Sequence, residues 1–326
     1  MAKAILIRQT GGPDVLNYEE IGEVGDPGPG EVRIRHEAIG LNFIDCYFRT
    51  GIYQPPSGYP FTPGNEGAGV VLAVGPDVSE IRTGDRVAYT GPLGAYASER
   101  LIPAASLVRL PDEVEFRTGA AMMLKGLTAQ YLLRRTFRVE PGHTVLFHAA
   151  AGGVGLIACR WAKALGATVI GTVGSPDKAR LARENGCDHV IDYRAESFVD
   201  RVLEITGGEK CDVVYDSVGK DTFPGSLDCL KPFGMWVLFG QSSGVIDGFD
   251  MNILAKKGSL YATRPTIFTH IASRAVMQEM ADELFDLVRR GVVEIPVNQE
   301  FSLADAAEAH RALESRATTG ASVLVP

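Results

Sequence analysis

Cysteine is sparse and badly placed for cross-linking. The 326 residues hold five, Cys46, Cys159, Cys187, Cys211 and Cys229, an odd number with no C-x-x-C pair. That pattern argues against a disulfide framework and a structural zinc lobe, and it points to a reducing compartment. Long apolar runs are missing too: no segment approaches the roughly 18 apolar residues that a membrane span needs. The start offers only Ala4–Ile7 before Arg8, too short for a signal-peptide core, so a soluble cytoplasmic protein is expected. Basic blocks are absent, with 32 Lys and Arg against 40 Asp and Glu and a net charge of −8. Neither a nucleic-acid backbone nor an anionic membrane is favoured as a partner. His36, His143, His148, His189, His270 and His310 show no metal-ligand spacing, and His148, inside an apolar strand, reads as a core residue. With no G-x-S-x-G elbow, a hydrolase has nothing to stand on.

What is present is ordinary globular composition, 45% hydrophobic and 22% charged, at a length that suggests two domains. The first third alternates short apolar runs, Val32–Ile34, Gly69–Val74 and Arg86–Tyr89, with Gly/Pro punctuation such as Asp26–Gly30, the texture of a β-rich domain. From about Arg117 it turns helical, through Ala120–Leu124 and Thr128–Arg135. A strand/helix series follows. Thr144–Ala149 reads as a strand and Val154–Leu165 as a helix stopped by Gly166; Thr168–Val173 is a second strand, followed by a helix capped by Ser175-Pro176 and stopped by Gly186. Further strands are expected at His189–Tyr193, Asp212–Ser217, Met235–Gly240 and Ser259–Thr263, giving a parallel, doubly wound α/β sheet of the Rossmann type. The tail carries a helix over Val276–Arg290 and a strand over Ala321–Val325.

Between the first strand and helix of this series runs Ala149-Ala150-Ala151-Gly152-Gly153-Val154-Gly155. The G-x-G-x-x-G positions are filled by Ala150, Gly152 and Gly155, so the first glycine is replaced. Gly152 and Gly153 let a pyrophosphate approach helix N-terminal N–H groups, and Gly155 permits close helix–strand packing. Glycine-rich turns are common, but strand before and helix after single this one out for dinucleotide binding. NAD-binding chains usually end the second strand in Asp or Glu; here Thr172-Val173-Gly174-Ser175 carries none, and Lys178 follows in the next helical turn. A lysine there can face a 2′-phosphate, which favours NADPH over NADH.

Several motifs carry a wider resemblance. Leu41–Asp45, Gly64-Asn65-Glu66-Gly67-Ala68-Gly69, Thr83–Val87 and Ala149–Gly155 resemble the medium-chain dehydrogenase/reductase superfamily over essentially the whole chain. Leu124–Ala129, Phe147–Gly152, Tyr215–Gly219 and Glu314–Gly320 more narrowly resemble the zinc-free NADPH:quinone oxidoreductases, the group that includes the ζ-crystallins. The resemblance implies a β-rich, GroES-like catalytic domain made of residues 1–125 and 265–326, into which a Rossmann NADPH-binding domain, residues 126–264, is inserted. It implies no metal: Asn65 stands where zinc-dependent relatives have the histidine of G-H-E, and Asn42 lies near the position of their first cysteine. Cys46 reads as a small, partly buried residue.

By motif position, the resemblance puts Lys178, Tyr193 and Arg316 around the adenosine phosphate, beside Gly174 and Ser175. It puts Gly152, Gly153 and Val154 at the pyrophosphate, and Asn42, Lys125 and Thr128 at the nicotinamide. Ser217, Phe239, Gly240, Gln241, Ser242, Thr263, Arg264 and Pro265 would line the rest of the cofactor site. Tyr47 and Tyr53, each with a flat face and an O–H donor, would meet the acceptor, and with Asn42 and Thr128 they form the expected catalytic set. The implied reaction is hydride transfer from NADPH to a quinone, whose delocalised product oxyanion needs no Lewis acid. The alternatives are NADPH-dependent reduction of the C=C bond of 2-alkenals or enones, and a crystallin-like NADPH-binding protein with little turnover. A homodimer formed by sheet extension is also implied, with Met235–Gly240 as the candidate edge.

Overall fold

A computed structural model describes all residues from Met1 to Pro326. The chain divides into two compact units: Met1–Lys125 with Ser273–Phe285 and Ile295–Pro326, and Gly126–Ala272 with Asp286–Glu294.

The first unit is built on β-strands. β1 (Ala2–Leu6) pairs antiparallel with β2 (Asn17–Gly22), and β3 (Glu31–Leu41) pairs with β4 (Glu66–Val74), which continues to β5 (Arg86–Thr90). β6 (Glu99–Pro103) adds to β3, and β7 (Leu107–Arg109) to β5. The core fills with β-branched and aromatic residues on the inward pleat, among them Val32, Ile34, Ile39, Val71, Val87, Tyr89 and Ile102. One helix interrupts the strands, α1 (Phe43–Thr50), ended by Gly51 at φ 83°. α2 (Phe116–Tyr131) joins the two apolar stretches into one helix, and a π turn, Leu132–Thr136, follows it.

The second unit is the expected doubly wound sheet. Its strands β8 (Thr144–Phe147), β9 (Thr168–Val173), β10 (His189–Asp192), β11 (Cys211–Asp216), β12 (Leu230–Leu238) and β13 (Tyr261–Thr263) lie in the order β10-β9-β8-β11-β12-β13, all parallel. α3 (Gly153–Ala164) and α4 (Pro176–Glu184) connect the first three strands. The first strand ends two residues earlier than expected, because Ala149 takes a left-handed φ of 56° and turns the chain. The expected edge is overturned: β12 lies between β11 and β13, so the three-residue β13 forms the edge and Met235–Gly240 does not. The tail helix spans Arg274–Arg289, and β14 (Val297–Ser302) and β15 (Ala321–Val325) return to the first unit's sheet beside β3. No helix is long and apolar enough to cross a membrane.

Candidate functional site

At the C-terminal end of β8 the glycine-rich turn opens α3 at Gly152, whose backbone is extended and which has no side chain to cap the helix. The first N–H groups of that helix therefore lack a side-chain acceptor, which is what an incoming phosphate requires. A Cβ on Gly155 would come within 2.5 Å of the Ala149 carbonyl oxygen, so glycine is obligatory there. The replaced first glycine is also explained: a Cβ on Gly171 of β9 would stand 2.6 Å from the Ala150 Cβ, so the methyl at 150 uses space left by the missing side chain at 171. These residues fit a dinucleotide pyrophosphate.

The end of β9 gathers Gly174, Ser175 and Tyr193. Ser175 caps α4, its Oγ accepting the Lys178 backbone N–H at 3.3 Å, with Pro176 in the first turn. A Cβ on Gly174 would lie 2.5 Å from the Tyr193 hydroxyl. Lys178 is half-buried while Asp177 beside it is exposed. No carboxylate stands on this strand end. Beyond β11 and β12, the turns are similarly close: Ser242 donates its N–H to the Ser217 carbonyl at 3.1 Å, and a Cβ on Gly240 would meet that same oxygen at 2.7 Å. The Phe239 ring lies 5.7 Å from that of Phe147, and Gln241 passes under Gly219. Thr263 ends β13, with Arg264 and Pro265 just beyond, and Thr128 is buried on α2. Arg316 belongs to the other unit, in an exposed left-handed turn at φ 59° just past helix Ala306–Glu314.

In the first unit, Asn42 and Lys125 lie among buried polar groups, whereas Tyr47 and Tyr53 pack in an aromatic group with Phe48. Asn42 is the N-cap of α1, and its amide donates to Glu66 Oε1 at 2.8 Å. Lys125 Nζ donates to the same oxygen at 2.6 Å, while Glu66 Oε2 accepts the Leu124 N–H at 2.6 Å. Three donors thus hold a fully buried carboxylate, and the Lys125 side chain is itself 7% exposed. The Tyr47 and Tyr53 rings meet edge-to-face at 5.5 Å, and the Tyr53 N–H donates to the Tyr47 carbonyl.

Sequence reasoning missed the network behind Asn42. Asp45, fully buried on α1, accepts from the Asn42 N–H at 2.9 Å, the Asn65 amide at 3.1 Å and the Tyr96 hydroxyl at 3.2 Å. Burial pushes its pKa up to about 7 against the pull of those three donors. The Arg49 guanidinium donates to His310 Nδ1 at 3.3 Å and also pairs with Glu314. His310 Nε2–H must therefore donate to Tyr96, 3.1 Å away, which frees the Tyr96 proton for Asp45. Burial, aided by Arg49, holds the His310 pKa down to about 3, so the ring is neutral. Cys46 is buried rather than partly buried, its Sγ 3.5 Å from His310 Nδ1. The one local signal was the small-residue setting of Glu66, in Gly64-Asn65-Glu66-Gly67-Ala68-Gly69. A Cβ on Gly40 of the neighbouring strand would strike the Glu66 carboxylate. No three His, Cys, Asp or Glu residues converge as a metal site would need.

Comparison with known proteins places these geometries in context. Residues 28–112 match the model of the alcohol dehydrogenase GroES-like domain, and residues 153–287 that of the zinc-binding dehydrogenases. A quinone oxidoreductase of Pseudomonas aeruginosa is 56% identical over 100% of both chains. A 2-haloacrylate reductase of Burkholderia is 47% identical over 100% of this chain and 99% of its own. The crystal structure of Escherichia coli quinone oxidoreductase complexed with NADPH is 50% identical, covering 99% of this chain and 100% of its own, with a TM-score of 0.97.

Proposed function

The chain belongs to the quinone oxidoreductases of the medium-chain dehydrogenase/reductase superfamily, and from that membership we propose that it reduces quinones with NADPH and without zinc. The observation that carries the reading is the second unit's parallel sheet: an uncapped glycine helix start follows β8, and β9 ends without a carboxylate but with Lys178 in the next turn. Bound NADPH supplies the hydride. The protein's part is to hold the dinucleotide, exclude water and meet negative charge on the acceptor oxygen.

Within that reading, Gly152, Gly153 and Val154 take the pyrophosphate, and Lys178, Tyr193 and Arg316 the 2′-phosphate end. Asn42, Lys125 and Thr128 face the nicotinamide, and Ser217, Phe239–Ser242 and Thr263–Pro265 complete the site. Tyr47 and Tyr53 receive the acceptor, with O–H donors where oxyanion charge develops. Residues 1–125 and 265–326 act as the substrate-side domain and 126–264 as the NADPH domain, in a cytoplasmic homodimer. What supports the absence of zinc is the side chains themselves: Asn42 and Asn65 are amide donors into carboxylates, and Glu66 is engaged by Lys125.

The test is NADPH oxidation followed at 340 nm with 1,4-benzoquinone, in parallel with NADH and after exhaustive chelation. Chelator-resistant turnover that prefers NADPH supports the proposal; turnover lost on chelation overturns it. The haloacrylate-reducing relative favours a second substrate class, activated C=C bonds. Product analysis with an enone or 2-haloacrylate decides that case, since a saturated product marks C=C reduction.

A further inference from the structure

The second unit contains a buried polar chain that the reaction does not consume. His148 directly follows β8, Thr172 lies near the end of β9, and Asp216 ends β11. Ser226 sits in the short helix Gly225–Asp228. All four residues are at most 1% exposed. His148 Nδ1 lies 2.9 Å from Thr172 Oγ1, and Nε2 lies 3.1 Å from Ser226 Oγ, which in turn lies 2.8 Å from Asp216 Oδ2.

The proton directions follow from the partners. Asp216 faces donors only: the Val218 and Gly219 N–H groups on Oδ1 at 2.8 and 3.0 Å, and Thr222, Ser226 and Trp236 on Oδ2 at 2.8, 2.8 and 3.2 Å. With five donors around it, the carboxylate accepts on both oxygens. Ser226 gives its proton to the Asp216 oxygen at 2.8 Å in preference to the Thr222 carbonyl at 3.2 Å, so its oxygen accepts from His148 Nε2–H, and the remaining ring nitrogen accepts from the Thr172 hydroxyl. The order is Thr172 to His148 to Ser226 to Asp216. A Ser–His–Asp set invites comparison with a nucleophilic triad, but here the serine bonds to the carboxylate directly and no member reaches solvent.

Three of its four members stand at strand ends that lead into cofactor turns: His148 before Ala149–Gly155, Thr172 before Gly174-Ser175, and Asp216 before Ser217–Gly219. Backbone bonds reinforce the register, with the Ala150 N–H on the Thr172 carbonyl and the His148 N–H on the Tyr215 carbonyl, each at 3.0 Å. The Phe198 ring, edge-on to His148 at 5.1 Å, packs against it. We propose that Thr172, His148, Ser226 and Asp216 are positioning residues that lock three dinucleotide-binding turns into one rigid cradle. The proposal rests on the NADPH reading above. Its physical content is preorganisation: a broken link lets one turn move independently, and ordering it must then be met from binding energy.

The test is direct fluorescence titration of NADPH, and of 2′,5′-ADP for the adenosine end, on Ser226→Ala, Thr172→Val and the double variant. Thr172→Val, which removes one buried hydrogen bond, should raise the Kd for NADPH about tenfold; Ser226→Ala, which removes the bonds to both His148 and Asp216, should raise it at least as much, and in both kcat should fall less than Kd rises. Because the groups act as one chain, the double variant should bind about as weakly as the worse single one. Thr172→Ser, which keeps the hydroxyl, should restore wild-type Kd. A lowered Tm with unchanged Kd, or losses that multiply, overturns the proposal. Wild-type protein that fails to bind NADPH overturns the function reading instead.

Discussion

Ala150 and Gly171 share one space: a Cβ at 171 would lie 2.6 Å from the Ala150 Cβ and 2.7 Å from Cys187 Sγ. The alanine in the first glycine position of the turn is thus tolerated by a glycine on the neighbouring strand. Gly171→Ala should destabilise the protein by about 1–3 kcal/mol through overpacking. Adding Ala150→Gly should recover only part of that loss, since the Cys187 contact remains. Urea midpoints of both variants check this, and full recovery would contradict it.

Lys178 is the group expected to separate the two nicotinamide cofactors. Replacing Lys178 by Glu should raise the KM for NADPH by about tenfold to a hundredfold, with a much smaller effect on NADH. Equal changes for both cofactors would remove the 2′-phosphate argument.

The Lys125–Glu66 pair is buried on both sides. Lys125→Met leaves the Glu66 carboxylate without its countercharge and should cost about 3–5 kcal/mol. Adding Glu66→Gln removes the stranded charge, so the double variant should be markedly more stable than the single one. Chemical denaturation of the three proteins measures the coupling.

Asp45 gives stability a pH dependence of defined sign. Its pKa is raised from 3.8 to about 7 by burial, so the folded state holds the proton over a range where the unfolded chain has released it. That contribution is complete below the unfolded value and is lost as pH rises through about 7. Asp45→Asn abolishes it, and an amide can satisfy the site if the Asn65 side chain turns its oxygen inward. The stability of the variant relative to wild type should therefore increase from about pH 5 to about pH 8. A difference that stays flat would show that Asp45 remains ionised throughout.

Legibility in the sequence followed the range of the interactions. The β9 bounds, the Ser175 cap and the β15 strand depend on neighbours in sequence and were readable to the residue. The β1–β2 hairpin was not, since its pairing joins Ala2–Leu6 to Asn17–Gly22 across a turn with no tight hairpin signal. Gly126 made α2 look like two pieces, although the helix continues through it. Strand order is set by tertiary pairing, which is why β12 passed for an edge. The network joining Asn42, Asp45, Asn65, Tyr96 and His310 draws on distant segments, and only contact in space reveals that its donors and acceptors match.

The buried thiols bear on survival in the presence of the acceptor. Quinones add to thiolates, and all five cysteines are buried and unpaired. Burial pushes the Cys46 and Cys229 thiols up, Cys211 rises to about 12, and Cys159 is raised well above its ordinary value, first by its hydrogen bond with Cys187 and then by burial. A protein that draws electrophiles to itself thereby keeps all five thiols out of reach and disfavours the thiolate at Cys46, Cys159, Cys211 and Cys229, so repeated turnover need not end in self-alkylation.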